Sequence, residues 1–218
     1  MSEKELATRD LILKAARYEF FQKGFREASL RSIADAAKVT TGSLYWHFKN
    51  KEELLDILVG PHYEHVMGIY KKFVQRASEL SIPERLEGMR DNGLDCVCEM
   101  LEYMYMHIEE FKFLIADSDG TKYARFLDEL IEYEIDDTHK FYEDLEQKQM
   151  VVEDGFREIE HIIVSGMFTS VFKMLVYGFP LEKAMSCAEQ IVNFYTAGWL
   201  YVMDLPLPEA MKRNKKSY

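Results

Sequence analysis

The stretch VTTGSLYWHFKNKEELL, Val39 to Leu55, decides how this 218-residue chain is read. Two aromatics stand side by side in it, a histidine and two lysines follow, and no acid occurs before Glu52. Leu44, Tyr45 and Phe48 recur at helical spacing behind Thr40 and Thr41, either of which can cap a helix start. Asn50 with Glu53 makes a capping box for the next helix, which carries Leu54, Leu55, Leu58, Val59, Tyr63 and Val66. Upstream, Ser29 can cap a short helix bearing Leu30, Ile33, Ala34 and Ala37. Before it, Thr8 can open a helix whose apolar face is Leu11, Ile12, Ala15, Ala16, Phe20 and Phe21, and which Gly24 can end with left-handed backbone. Three short helices bury little alone, so the fourth has to complete their core. Pro61 marks a point where that helix kinks or ends.

Two short helices joined by a tight turn and braced by a first describe a helix-turn-helix, whose second member enters the major groove. Thr40, Thr41 and Ser43 stand where base edges are met, and Gly42 lets the backbone approach closely. Tyr45, Trp46, His47, Lys49 and Lys51 gather donors that phosphate oxygens accept, and Arg31 and Ser32 can hold the other side of the groove. Each residue also has a plain structural reading: Tyr45 and Trp46 can share in the core, Phe48 has no polar handle, and Thr41 and Ser43 suit any helix start.

Charge supports the nucleic-acid reading once it is divided along the chain. The whole carries a net charge of −11, but residues 1–50 hold nine Lys/Arg against six Asp/Glu, and the remainder eighteen against thirty-two. A basic KRNKK run lies near the C-terminus. One end can therefore approach a phosphate backbone while the bulk stays acidic. Cys96, Cys98 and Cys187 form neither a CxxC pair nor a zinc spacing, which points to free thiols, a reducing cytoplasmic compartment and no metal. The apolar run HIIVSGMFTSVFKMLVYGF is interrupted by Lys173 and reads as a buried or interfacial helix rather than a membrane span.

The remaining periodicity is helical throughout: a helix opened by Ser81-Ile-Pro through Met104, a segment from Ile108 to Ile115 broken at DSDG, and a helix from Tyr123 to about Met150 bounded by VVEDG. Two strongly apolar helices follow, at roughly 156–177 and 181–203. No period-two alternation appears, so the fold class is all-α. The functional boundary falls near residue 50: a DNA-binding domain over 1–50, completed by the helix start at 51–66, and a larger helical domain over 51–218. The last two helices are apolar on too many sides for a lone pair. Ile159, Ile162, Ile163, Gly166, Met167, Ser170, Val171 and Met174 on one, with Ile191, Phe194, Tyr195, Gly198 and Trp199 on the other, suit a two-fold four-helix interface.

The middle helices suit a ligand. Met89, Cys96, Met100, Tyr103, Met104, His107, Phe111, Phe126 and Tyr133 offer adaptable apolar surface, with Glu99 interspersed. Aromatics with a buried carboxylate fit an apolar cation, and aromatics with tyrosine hydroxyls fit a neutral planar compound. The same stripe reads equally as ordinary core. For an enzyme the chain lacks a glycine-rich phosphate loop, a nucleophile elbow, an HExxH and a histidine–acid cluster, and no motif calls for a cofactor. A protein-interaction adaptor is the other class left open.

ILKAARYEFFQKGFREASLRSIADAAKVTTGSLYWHFKNKEELL resembles the N-terminal signature of the TetR family of bacterial transcriptional regulators, in its ILKAA opening, FF…KGF helix end, SLRSIADAA, TTGSLYWHF and KNKEELL junction. The specific similarity covers about residues 9–58; beyond it, length and helical organisation agree. The resemblance implies a homodimer on a palindromic operator, usually a repressor and alternatively an activator. It also implies a divergent C-terminal domain that binds a small effector and pairs subunits through its last two helices. By motif, recognition contacts fall on Thr40, Thr41, Ser43, Tyr45, Trp46 and His47, and a phosphate contact on Lys51. The family usually has Ala-Gly-Val at the helix-turn-helix bend, where this chain has Ala37, Lys38 and Val39. Lysine in left-handed backbone costs about 1 kcal/mol relative to glycine, and the charge of Lys38 can recover part of this by lying near phosphate, which adds it to the DNA-binding candidates.

Overall fold

The computed structural model describes residues 3–148, 159–208 and 211. The VVEDG boundary, the start of the helix expected at 156 and the KRNKK tail lie outside the described residues. All the regular elements described are helical. The chain divides into two compact units, one formed from Met1–His65 with His107–Phe126, the other from Val66–Met106 with Leu127–Tyr218. The first unit thus takes in a segment that the division at residue 50 assigned to the larger domain.

In the first unit, α1 spans Glu3–Glu27, α2 Leu30–Ala36, α3 Thr41–His47 and α6 Ile108–Ala116, with the first part of α4 (Lys51–Ser78). The first helix starts well before Thr8, whose hydroxyl donates to the Lys4 carbonyl instead of capping. It bends at Gly24, where φ is +75°. Ile12, Ala16, Phe20, Ile33, Leu44, Phe48 and Leu54 close into one buried core, whereas Leu11, placed on that face by periodicity, is half exposed. Ser29 caps α2 by accepting the Ser32 N–H, and Thr40 caps α3 by accepting the Ser43 N–H. Asn50 accepts the Glu53 N–H as expected. Glu53 then reaches one residue further back than a capping box requires and accepts the Lys49 N–H at 2.6 Å.

The bend between α2 and α3 carries the lysine anomaly. Lys38 has a φ of +57°, and the Lys38 N–H donates to the Asp35 carbonyl while the Val39 N–H donates to Ala34. That pair of bonds is the Schellman closure of a helix C-terminus, in which the left-handed position is normally glycine. The turn is therefore the standard one, held despite its residue.

Lys51 has partners within the chain. Its ammonium donates to the carbonyls of Phe25 at 2.6 Å and Ala28 at 3.0 Å, lies 3.5 Å from that of Arg26, and sits 4.3 Å from the Phe25 ring centroid. Carbonyls left open at the end of α1 need donors, and this cation supplies them. Sequence spacing could not reveal this, because the partners lie 23 to 26 residues away. Besides the phosphate contact expected of it, Lys51 thus has a use within the chain: the side chain ties α4 to α1.

In the second unit, the remainder of α4 joins α5 (Ile82–Met106), α7 (Phe126–Gln147), α8 (Glu160–Val176) and α9 (Leu181–Val202). α4 runs through Pro61 without ending there. Ser81 precedes α5, and both its N–H and its hydroxyl donate to the Glu84 carboxylate. α9 packs on both α5 and α8. Phe141, Tyr142, Leu145 and Met203 form a buried cluster against Ile163 and Trp199, and Arg90 ties α5 to Asn193 and Glu189 on α9. Gly178 ends α8 with a φ of +74°.

Two stability tests follow from these contacts. Lys38→Gly is expected to raise stability by about 1 kcal/mol, or roughly 2–4 °C in Tm, with thermal unfolding as the check. Lys51→Met keeps the stem but removes the donors. It is expected to lower stability by about 1.5–3 kcal/mol in denaturant titrations, a change under 0.5 kcal/mol counting against the tie.

Candidate nucleic-acid interface and ligand pocket

The short helix α3 buries Leu44 and turns its other faces outward. Thr41 and Gly42 are exposed in its first turn, and the nearest atom to a side chain built at Gly42 is Thr40 Oγ1 at 3.9 Å, so no internal contact demands glycine there. Tyr45 and Trp46 are 55% and 64% exposed. They share less of the core than helical register suggested. Trp46 meets the His47 ring edge-on at 4.6 Å, which restricts both rings. Arg31, Lys38 and Lys49 are exposed.

Ser32 has a second commitment. Glu19, buried on α1, is pushed upward by desolvation, but hydrogen bonds from Lys23, Ser32 and the Ser29 backbone outweigh this and leave its carboxyl below the usual range. Ser32 thus anchors α2 to α1. Thr40 is similarly engaged through its cap. The exposed set of donors is Arg31, Lys38, Thr41, Tyr45, Trp46 and Lys49, with Ser43 and His47 partly exposed.

The second unit contains a partly open cavity of about 150 Å³. α4 contributes Tyr70 and Phe73, α5 Arg85, Met89 and Cys96, α7 Glu134, Asp137 and Phe141, α8 Ile163, Met167 and Phe168, and α9 Tyr195, Thr196 and Trp199. Its polar side is specific. Tyr70 donates to Glu134, and Arg85 pairs with Asp137 Oδ2 while its guanidinium lies 4.4 Å from the Phe141 ring centroid. Asp137 Oδ1 is buried and accepts no hydrogen bond. Burial raises both the Glu134 and Asp137 carboxyls above the ordinary carboxylate range, against the opposing effects of Tyr70 and Arg85 on the first and of Arg85 on the second.

Of the residues expected to line a ligand site, Met89 and Cys96 do so. Glu99 lies instead in a neighbouring depression with Lys72, Arg76 and Asp95. Met100 and Met104 are fully buried and absent from the lining, Tyr103 is partly buried away from it, and Tyr133 is exposed under Lys71. His107, Phe111 and Phe126 belong to the first unit, where His107 packs against His62 at 4.1 Å and Phe111 against Phe126 at 6.1 Å. Periodicity tells which residues face inward, not where the inward faces fail to meet. The missed polar residues did leave a signal: Glu134 and Asp137 interrupt the stripe of Leu130, Ile131, Phe141 and Tyr142 on one helix face.

The residues expected to pair subunits divide between the interior of the chain and its surface. Val171 and Met174 are buried within the chain, and Ile163, Met167, Tyr195 and Trp199 line the cavity. Gly166 makes room for the Tyr195 hydroxyl, 2.8 Å from where a Cβ would stand. Ile159, Ile162, Ser170, Phe194 and Gly198 remain exposed, and Ile191 partly so. Cys96, Cys98 and Cys187 are unpaired. Among the described residues, no group of three or more His, Cys, Asp or Glu could hold a metal ion, and no helix is long and apolar enough to cross a membrane.

Comparison with known proteins agrees with this geometry. Residues 12–58 match the family described as bacterial regulatory proteins, tetR family. The HTH-type transcriptional repressor KstR2 of Rhodococcus jostii (strain RHA1) is 30% identical over 110 residues, covering 50% of this chain and 53% of that one. The probable HTH-type transcriptional regulator ArpR of Pseudomonas putida is 29% identical over 157 residues, covering 72% of this chain and 64% of its own length. The chain thus spans about half to two thirds of these relatives. A TetR-family transcriptional regulator from Bordetella parapertussis 12822 superposes with a TM-score of 0.60 at 19% identity, over 88% of this chain and 96% of that one, which establishes the shared all-helical fold. Over residues 12–58, which hold the helix-turn-helix, this protein is similar to the tetR family of bacterial regulatory proteins.

Proposed function

We propose that this protein is a homodimeric regulator of transcription, acting as a repressor on a palindromic operator and released by a hydrophobic or aromatic small molecule. The observation that carries the DNA reading is α3 itself: two large aromatics stand exposed on a helix of seven residues whose only buried side chain is Leu44. Two adjacent large aromatics left exposed on one short helix suit a binding surface. In this reading Thr41 and Ser43 meet base edges, while Arg31, Tyr45, Trp46, His47 and Lys49 hold phosphates.

Pairing through α8 and α9 is supported by Ile162, Phe194 and Tyr201, which are 70%, 73% and 85% exposed. Isologous contact between two such faces buries both, and a two-fold dimer reads an inverted repeat. Release by a ligand is supported by α4, one continuous helix that bears Lys51 at its start and the cavity residues Tyr70, Phe73 and Ala77 further along. A ligand that favours one position of α4 shifts the population of DNA-competent protein by its differential affinity for the two states.

Lys49→Ala is expected to weaken binding to unrelated duplexes by similar factors and to reduce the slope of log affinity against log salt by about one. Fluorescence anisotropy over a salt series measures this, and an unchanged slope removes Lys49 from the interface. Phe194→Glu is expected to convert the dimer to monomer in light scattering at micromolar concentration. A wild-type protein that is already monomeric there contradicts the pairing.

A further inference from the structure

We propose that the polar corner of the cavity receives a positively charged donor, an ammonium or amidinium group carried on a small apolar body. This deepens the effector reading above and rests on it.

Three ionisable groups decide the sign. Glu134 and Asp137 stand one helical turn apart on α7, and Arg85 is the single cation of the lining. Arg85 is already committed, paired with Asp137 and laid over Phe141. It is poorly placed to take a second anion, so a ligand carboxylate would face two acids with no free cation to receive it, whereas a ligand cation brings the donors that these acids lack. Asp137 is 95% buried, and its Oδ1 accepts nothing. A buried carboxylate oxygen without a donor is costly, and a ligand N–H meets the need directly. Glu134 accepts one hydrogen bond from Tyr70 and has lone pairs to spare.

The apolar walls set the size and the body. Phe141, Phe168 and Trp199 present aromatic surface, with which a cation interacts favourably. A cavity near 150 Å³ accommodates about one benzene-sized ring. Burial raises both carboxyls, so the first effect of an arriving cation is to favour their charged forms.

Isothermal titration of the full chain with three single-ring probes tests this: 2-phenylethylammonium, 3-phenylpropionate and 2-phenylethanol. The ammonium probe is expected to bind at least about tenfold more tightly than either other. Asp137→Asn and Glu134→Gln are each expected to abolish that preference; should Asp137→Asn leave Arg85 unpaired and fail to fold, Glu134→Gln carries the test alone. Equal or tighter binding of the carboxylate or the alcohol overturns the cation assignment while leaving effector binding intact. A preference that survives Glu134→Gln also overturns it. If none of the probes binds, the cation assignment falls, and duplex binding by the same preparation shows whether the regulator reading stands without it.

Discussion

The arrangement of the first unit depends on one cation and three carbonyls. The ammonium of Lys51 closes on the end of α1, where Phe25, Arg26 and Ala28 present oxygens beyond the bend at Gly24. A helix end left in that state needs donors, and water is less available beside a packed phenylalanine. The tie sets where α4 begins relative to α1, and the short segment between them has to accommodate α2, α3 and their turn. Leu44 and Phe48 then drop into the core formed with Ile12, Phe20 and Leu54. Tyr45 and Trp46 are left outside by the same rotation of α3 that buries Leu44.

That exposed face and the partly open cavity are the two places where function is expected. α4 is common to both, with Lys51 fixing its start and Tyr70 turned to Glu134 in the other unit's interior. A side chain that reaches a buried acid through a hydroxyl is sensitive to what else the acid binds, because hydrogen-bonded charge pairs in low dielectric respond strongly to a new charge.

Much of this was legible from residue order where the physics is local. Ser29, Thr40 and Asn50 each cap the helix that follows, because a cap needs only the next three residues. Lys38 was recognisable as a misfit since the glycine-preferring position of a helix-ending turn is set by neighbours in sequence. The carbonyl partners of Lys51 are not legible for the opposite reason: a solvent-facing lysine and one satisfying distant carbonyls have the same periodicity. The apolar stripes of α8 and α9 were read as one pairing face, yet they wrap far enough to serve the chain's own core as well, so Val171 and Met174 went inward while Phe194 stayed out. The cavity was the least legible element. It draws on five helices from Tyr70 to Trp199, and its volume is the residue of imperfect packing among them. Only the acids Glu134 and Asp137, out of character within an apolar stripe, betrayed it in one dimension.

The central claim is that an acidic protein uses a small exposed aromatic and basic face to read double-stranded DNA as a symmetric pair. Selection of bound duplexes from a random-sequence library with the full chain tests that claim most directly. The account predicts enrichment of an inverted repeat whose half-sites are separated by about one helical turn or more. Recovery of no enriched sequence, or of a motif without two-fold symmetry, would contradict it.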